Sequence, residues 1–434
     1  MDRRELLKAS LLGAAGVSAM DTHAAAASGP VAAAPDGCIS VRDCGALGDG
    51  LADDTAALQR AIDQVRERAA ALGNTAFLPC VLLPSGRYRL TDTLRTAPWI
   101  KLRSAGSVLL DFTGLPPDRD GIVCRNDVSF GTDVLRYPSN RSPFLDGTGG
   151  TISILGPGVG RAGGTAIVVG DADPHGVGVV RDAGGRNVVV TGWRCALGID
   201  PVHAYLNAWL SCRFEANRDA AIHVRARAGK AVDSGERMTF HDCTFAGSQR
   251  ALLIDTDSQD FVFDACSFDF NGDVIAYGPD ARYGTVALHH CHVEGFDGLL
   301  VDATKAGERL RVALDHSIVL PRGWKRRDRA NAPRLLVGGR CRFSAIAVEF
   351  RFEAAAASPR DALIGDDVQV DALVGLSFTG HAALPSNRPE PRADAFENGL
   401  QVRNAVREGR SADVARTAPP GDVLIARAAR WRNG

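Results

Sequence analysis

Aromatic side chains are scarce in this chain, 6% of its 434 residues, while glycine is plentiful at 47. That imbalance suits many short strands joined by tight turns and argues against a helical bundle. Net charge is lacking too: 50 Lys and Arg stand against 51 Asp and Glu, a formal charge of -1. No long basic run marks a face that neutralises many phosphates, so nucleic acid is not an expected partner. Beyond the first residues no apolar run is long enough to cross a bilayer, and no two of the ten cysteines show the roughly two-to-four-residue spacing of zinc sites. What is present is ordinary for a folded protein. Hydrophobic residues make up 45% and charged residues 23%, enough apolar side chain to fill a long core and to exclude disorder of the whole chain.

The first residues read as an address. Arg3 and Arg4 precede Glu5, Leu6, Leu7 and Lys8, and a short apolar run follows from Ala9 to Met20. The pattern resembles a twin-arginine export signal, and Ala24 to Ala27 offer the small residues that a signal peptidase takes. Residues 1–27 are therefore expected to be removed, leaving a periplasmic or secreted protein with no membrane insertion. The removed segment carries Arg3, Arg4 and Lys8 but also Asp2, Glu5 and Asp21, so the mature chain stays near neutral. Its total charge does not steer a strongly anionic substrate.

From Ile39 the chain reads Ile-Ser-Val-Arg-Asp-Cys-Gly-Ala-Leu-Gly-Asp-Gly, then Leu-Ala-Asp-Asp-Thr. Gly45, Gly48 and Gly50 permit a tight loop, while Asp53, Asp54 and Thr55 offer oxygens to the unpaired amides that open a helix. Leu58, Ala61, Ile62, Val65, Ala69 and Leu72 then recur at three and four, giving an amphipathic helix with an apolar stripe to cover. Next come an apolar strand at Cys80 to Leu83, a Pro84-Ser85-Gly86 turn and a second strand at Arg87 to Leu90. This series resembles the start of the pectate-lyase superfamily domain found in rhamnogalacturonases, related glucanases, epimerases and phage tailspikes. The match is close over about residues 39 to 112. It implies an all-β, right-handed parallel β-helix with an N-terminal capping helix, and says much less about the reaction, since one scaffold hosts several chemistries.

Internal repetition supports the same fold independently. Strands of apolar-x-apolar form recur with a small residue at a fixed offset: Cys212, Cys243, Cys266, Cys291 and Ser317, at intervals of 31, 23, 25 and 26 residues. Each interval suits one coil, and stacking at about 4.8 Å sets equivalent side chains above one another. The four cysteines are expected to form a buried column of reduced thiols. Cys38 and Cys44 lie outside it and can pair with each other or remain free. Trp193 and Trp209 fall at core-phase positions. His241-Asp242, His289-His290 and Asp315-His316 fall at a tight corner and read as stacked turn residues, not as a metal site. Residues 38–384 are expected to form the β-helix domain and 385–434 a polar tail.

Candidate chemistry lies on a further short strand in each coil. Asn217-Arg218-Asp219, Asn271-Gly272-Asp273 and Gly295-Phe296-Asp297 precede it, so Asp273 and Asp297 fall on neighbouring coils as an expected acid and base for glycoside hydrolysis. The Asn-Gly-Asp is similar to the Asn-x-Asp that begins the active site of polygalacturonases. Their Gly-His-Gly and Arg-x-Lys are missing here, and Asn and Asp also form turns for local reasons. Asp219, Arg225, Asp255, Tyr277 and Asp302, flanked by His223 and Asp257, are expected to line the same groove and bind sugar. Such groups also suit a lyase, which must neutralise a uronate and remove a proton. No cofactor or metal is expected. Two classes of function stand: an exported carbohydrate-active enzyme, with hydrolysis ahead of elimination or epimerisation, and a non-catalytic polysaccharide-binding or structural β-helix.

Overall fold

The computed structural model describes residues 37–73, 78–126, 143–170, 180–200, 204–226, 236–258, 260–307, 309–321, 335–351, 364–379 and 406–407. The expected export segment, and the polar tail apart from Val406–Arg407, lie outside the described residues.

Short strands repeat in threes. One coil runs Asp260–Asp264, Ser267–Asp269 and Asp273–Tyr277; the next runs Tyr283–His289, His292–Glu294 and Val301–Ala303. Each strand pairs in parallel with its counterpart one coil on. The result is a right-handed parallel β-helix with three sheet faces, the third built from nine strands. Alternation puts one side of every strand in a continuous apolar interior. Phenylalanines stack there from coil to coil, as with Phe214, Phe245 and Phe268, whose successive ring centroids are 5.4 and 5.0 Å apart. Trp193 and Trp209 are fully buried in the same interior.

The corner between the first and second faces is a single residue with φ near +50°, at Ser211, Asp242, Ala265, His290 and His316. The following residue turns inward, which places Cys212, Cys243, Cys266, Cys291 and Ser317 in one buried column. Each of Cys243, Cys266 and Cys291 donates its thiol to a carbonyl of the preceding coil at 3.4 Å, and Ser317 Oγ accepts from the Cys291 amide at 3.0 Å. Histidines at or just before this corner pair with aspartates of the same stack, His241 with Asp264 at 3.0 Å and His316 with Asp315 at 2.7 Å.

Helix α1, Thr55–Leu72, packs on Cys38–Ser40, Cys80–Arg89 and Leu94–Thr96. Ala57, Leu58, Ala61, Ile62, Val65 and Ala69 are buried beneath it, whereas Leu72 is exposed at the last turn. Asp54 does not cap the helix with its side chain. Its buried carboxylate instead accepts from the Leu47 and Gly48 amides at 2.6 and 3.0 Å, closing the glycine loop, while Asp53 accepts from the Thr55 amide at 3.0 Å. Cys38 is bonded to Cys80, its in-register neighbour on the next coil. Cys44 is a free, buried thiol beside Gln64, so the alternative pairing of Cys38 with Cys44 is excluded. At the other end, Val406–Arg407 pairs in parallel with Ser377–Thr379.

Candidate functional site

The residues that follow the third-face strands continue the ladder by one step. Register aligns Cys124, Val169, Ile199, Val224, Ile254 and Tyr277. The next residues, Arg125, Gly170, Asp200, Arg225, Asp255 and Gly278, therefore form a row of alternating charge along the stack. Opposite charges on adjacent rungs attract where like charges would repel. Asp200 is fully buried and takes Arg225 on one oxygen, at 2.6 Å from Nη2 and 2.8 Å from Nε, and Arg125 on the other at 2.9 Å. Arg125 reaches across the intervening Gly170, donating to its carbonyl at 3.1 Å on the way. Asp120 stands 3.8 Å from Arg225 Nη1.

His223, on the outward side of the third face, lies 2.7 Å through Nε2 from Asp255 Oδ2. The other Asp255 oxygen lies over Gly278, where an added Cβ would meet it at 2.3 Å; only a residue without a side chain lets the carboxylate take that position. The pair is half-buried, with side-chain exposures of 13% and 29%, so the imidazole is both held in place and reachable. An ionised carboxylate that fixes one ring nitrogen leaves the other to accept or donate a proton.

The structure groups the expected site residues differently from their sequence spacing. Arg225 and Asp255 share a row, but Tyr277 aligns with Val224 and Ile254, so its ring faces the interior and does not line a groove. Burial also pushes its hydroxyl well above the usual phenol range. Asp302 aligns through Ala276 and Leu253 with His223, three coils away. It accepts from the Thr304 amide and hydroxyl at 3.1 and 2.6 Å. Asp273 accepts from the Leu299 amide at 2.9 Å, at the level of Leu299, whereas the Asp297 amide donates to the Asn271 carbonyl at 3.1 Å. The two carboxylates thus stand two residues out of step, not at equivalent positions. Asp219 is drawn to Arg218 at 2.9 Å and Arg194 at 3.5 Å. Burial works against its charge, but these two cations outweigh it and hold the carboxyl below the usual range. Asp257 accepts from the Arg282 amide at 2.7 Å.

Asp200, Asp120, Arg125 and Arg194 were not singled out from sequence. The signal for Asp200 is available: it directly follows a strand one coil before Arg225, which follows its own strand in the same way, and a charge of opposite sign is the expected neighbour. On the second face a different group forms, because Asp269 and Glu294 are in-register partners and His292 stands beside Ser267 one rung away. Ligand atoms of Asp269, His292 and Glu294 lie within 4.8 Å of one another, the sole set of this kind among the described residues, and their chemistry would suit a divalent cation. Burial and the charges of Glu294 and Glu215 push the Asp269 carboxyl up, against the pull of Ser267 and His292.

Comparison with known proteins agrees with this architecture. Residues 38–106 match the family described as "Rhamnogalacturonase A/epimerase, pectate lyase-like". Among solved structures, the enzymatically active domain of bacteriophage CBA120 tailspike protein 4 is similar over 81% of this chain and 45% of its own, with a TM-score of 0.53 and 15% identity. Tailspike protein 2 of an Escherichia coli O157:H7 bacteriophage is similar over 81% and 43%, with a TM-score of 0.52 and 12% identity. DFA-IIIase from Arthrobacter chlorophenolicus A6, solved with GF2, is similar over 84% and 92%, with a TM-score of 0.50 and 13% identity. The chain spans less than half the length of the two tailspikes. At these identities the likeness is one of fold.

Proposed function

We propose, from the premise that the chain is a pectate-lyase-like parallel β-helix protein, that it is an exported enzyme which hydrolyses a glycosidic bond of a polysaccharide or oligosaccharide along its third face. The observation that carries this reading is the His223–Asp255 pair, 2.7 Å apart on the outward side of that face. Hydrolysis needs one group to protonate the leaving oxygen and another to activate water or attack the sugar. Asp255 holds His223 for proton transfer, and Asp273, Asp297 and Asp302 supply further carboxylates on the following coils. Elimination or epimerisation would use the same dyad as base, but would also need a cation for the uronate. Arg225, the nearest guanidinium in the row, is already bound to Asp200, which favours hydrolysis.

A second location rests on a different observation. Asp269 and Glu294 are carboxylates on adjacent rungs, and the Asp269 carboxyl is pushed up, as a general acid requires.

The experiment is turnover of the mature protein on a panel of bacterial and plant polysaccharides, following reducing ends and the ultraviolet absorbance of unsaturated uronates. Reducing ends alone indicate hydrolysis, and both signals a lyase. Binding with neither product supports the non-catalytic rival and overturns this reading. Asp255→Asn or His223→Asn should lower turnover by at least about a hundredfold with folding preserved. If those variants are unaffected while Asp269→Asn or Glu294→Gln is inactive, the second face is the site. Asp273→Asn and Asp297→Asn decide in the same way between catalytic carboxylates and turn formers.

A further inference from the structure

Along the outward side of the second face, register sets Glu215, Ala246, Asp269 and Glu294 one above another on successive coils. Two residues earlier on the same strands runs a second outward column, in which Ser267 is the partner of His292. Four polar side chains thus stand at the corners of a small rectangle, Ser267 and Asp269 on one rung and His292 and Glu294 on the next. Its sides are about 4.8 Å between strands and about 6.6 Å along them.

The side chains converge within that rectangle. Ligand atoms of Asp269, His292 and Glu294 all lie within 4.8 Å of one another, and each residue is half-buried. His292 Nδ1 is 3.9 Å from the nearer Glu294 oxygen. The Ser267 hydroxyl donates to the Asp269 carboxylate, 2.9 Å from both oxygens, and holds it in place while lone pairs remain for another partner. The backbone beneath is fixed by the ladder: the Phe270 amide donates to the Glu294 carbonyl at 2.8 Å, and the His292 amide to the Cys266 carbonyl at 2.9 Å.

The charge pattern asks for a cation. Carboxylates on adjacent rungs repel, in contrast to the alternating Asp and Arg of the third face. Arg213, in the neighbouring column, does not answer that charge, because it lies 2.7 Å from Glu215, and the small Ala246 separates Glu215 from Asp269. One imidazole nitrogen and two carboxylate oxygens form a set that zinc accepts at about 2.0–2.2 Å, with ligands of one ion roughly 3–3.5 Å apart, so side-chain rotation alone closes the set. Calcium and magnesium prefer oxygen throughout and gain little from the imidazole. Two negative charges match the two positive charges of the ion, and the outward positions are left to water.

We propose that Asp269, His292 and Glu294 bind a divalent transition-metal ion of the zinc type, which joins two coils at the second face. The site is separate from the third-face dyad and does not rest on the hydrolytic reading. An ion held there keeps the Asp269 carboxylate ionised, so this site and the general-acid role offered above for Asp269 exclude one another.

The test uses the full chain, stripped with EDTA and dialysed, and titrated with zinc chloride by calorimetry and with cobalt(II) chloride followed in the visible. Zinc should bind the parent and a His290→Ala control, which removes a corner imidazole outside the site. His292→Ala, Asp269→Asn and Glu294→Gln should each weaken binding at least about a hundredfold, and Ser267→Ala, which removes only the group that orients Asp269, about tenfold. Bound cobalt should give a d–d band without thiolate charge-transfer absorption, and an equal concentration of calcium should not displace it. Saturating zinc should raise the Tm of the parent but not of His292→Ala, and circular dichroism of each variant separates lost binding from lost folding. No zinc uptake by the parent, undiminished uptake in both His292→Ala and Asp269→Asn, or cobalt bound through thiolate would overturn the proposal. Turnover that falls in Asp269→Asn while the parent takes up no zinc would assign Asp269 to acid chemistry instead. Each of these outcomes leaves the third-face reading to its own test by turnover.

Discussion

The Asp200 carboxylate is wholly buried and lies 2.6 Å from the Arg225 guanidinium. Arg125 occupies its other oxygen, so one acid holds together two cations from coils on either side. Asp200→Ala leaves both guanidiniums without their main counter-charge, and Asp120, 3.8 Å from Arg225, is too distant to replace it. The expected loss is about 3–5 kcal/mol in denaturant-induced unfolding. A loss below about 1 kcal/mol would mean that water re-solvates the arginines and that the row contributes little to stability.

The capping helix offers a contrast within one element. Ile62 is fully buried against the first coils, while Leu72 is 57% exposed. Ile62→Asp forces a charge against apolar surface and should cost several kcal/mol, whereas Leu72→Asp should stay within about 0.5 kcal/mol of the parent. Equal melting temperatures for the two variants would contradict the capping role.

The Cys38–Cys80 bond ties the first strand to the next coil across a sequence separation of 42. Closing a loop of that size removes freedom from the unfolded chain, so the Cys38→Ser, Cys80→Ser double variant should lose about 2–4 kcal/mol. Reduction of the parent should reproduce the loss, and Cys44→Ser should not. Mass spectrometry that finds Cys38 joined to Cys44 would refute the pairing.

The thiol column should be chemically quiet. Hydrogen-bonded neighbours in the column, together with burial, push the thiols of Cys243 and Cys291 up, while hydrogen bonds with those same two neighbours pull Cys266 down against its burial, so what shields Cys266 is its lack of access to solvent. Burial alone raises Cys341 to about 12. Alkylation at neutral pH should leave Cys212, Cys243, Cys266, Cys291 and Cys341 unmodified in the native protein and label all five after denaturation. Rapid native labelling of any column member would show that the coils open locally.

Acid sensitivity should trace in part to Asp111. Burial opposes its charge, but the Thr113 hydroxyl and amide and the Arg87 guanidinium outweigh it and hold the carboxyl below the usual carboxylate range. A group whose folded pKa is depressed stabilises the fold above its unfolded pKa and loses that contribution as pH falls through the folded value. Asp111→Asn should therefore lower stability at neutral pH and flatten its decline on acidification. Parallel stability curves for parent and variant, offset by a constant, would show that Asp111 is not a linked group.

Much of the fold was legible because its signals are local or repeat. The stripe Leu58, Ile62 and Val65 announces a helix with a face to cover, and the column of Cys212, Cys243, Cys266 and Cys291 follows from one residue type recurring at coil length. The left-handed corner residue before each of these cysteines makes that offset physical. Asp54 adjoins a helix start, where a capping role is the default expectation, but its carboxylate closes the glycine loop instead. Only folding brings the Leu47 and Gly48 amides into its reach.

The site depends on finer information. Sequence composition and spacing determined that coils stack in parallel, that alternate side chains face inward, and that Arg225 and Asp255 stand near one another on one face. They did not determine the step between coils, because coil length varies and a strand's side-chain period is two. A shift of one residue put Tyr277 inside instead of out, and a shift of two separated Asp273 from Asp297. Only the hydrogen-bonded register decided those positions, and with them the partners that no spacing names: Asp200 beneath Arg225, His223 against Asp255, and Asp269 beside Glu294. Each of these pairs joins residues on neighbouring coils, and the length of the intervening loops is invisible to the side chains that meet once the backbones are paired.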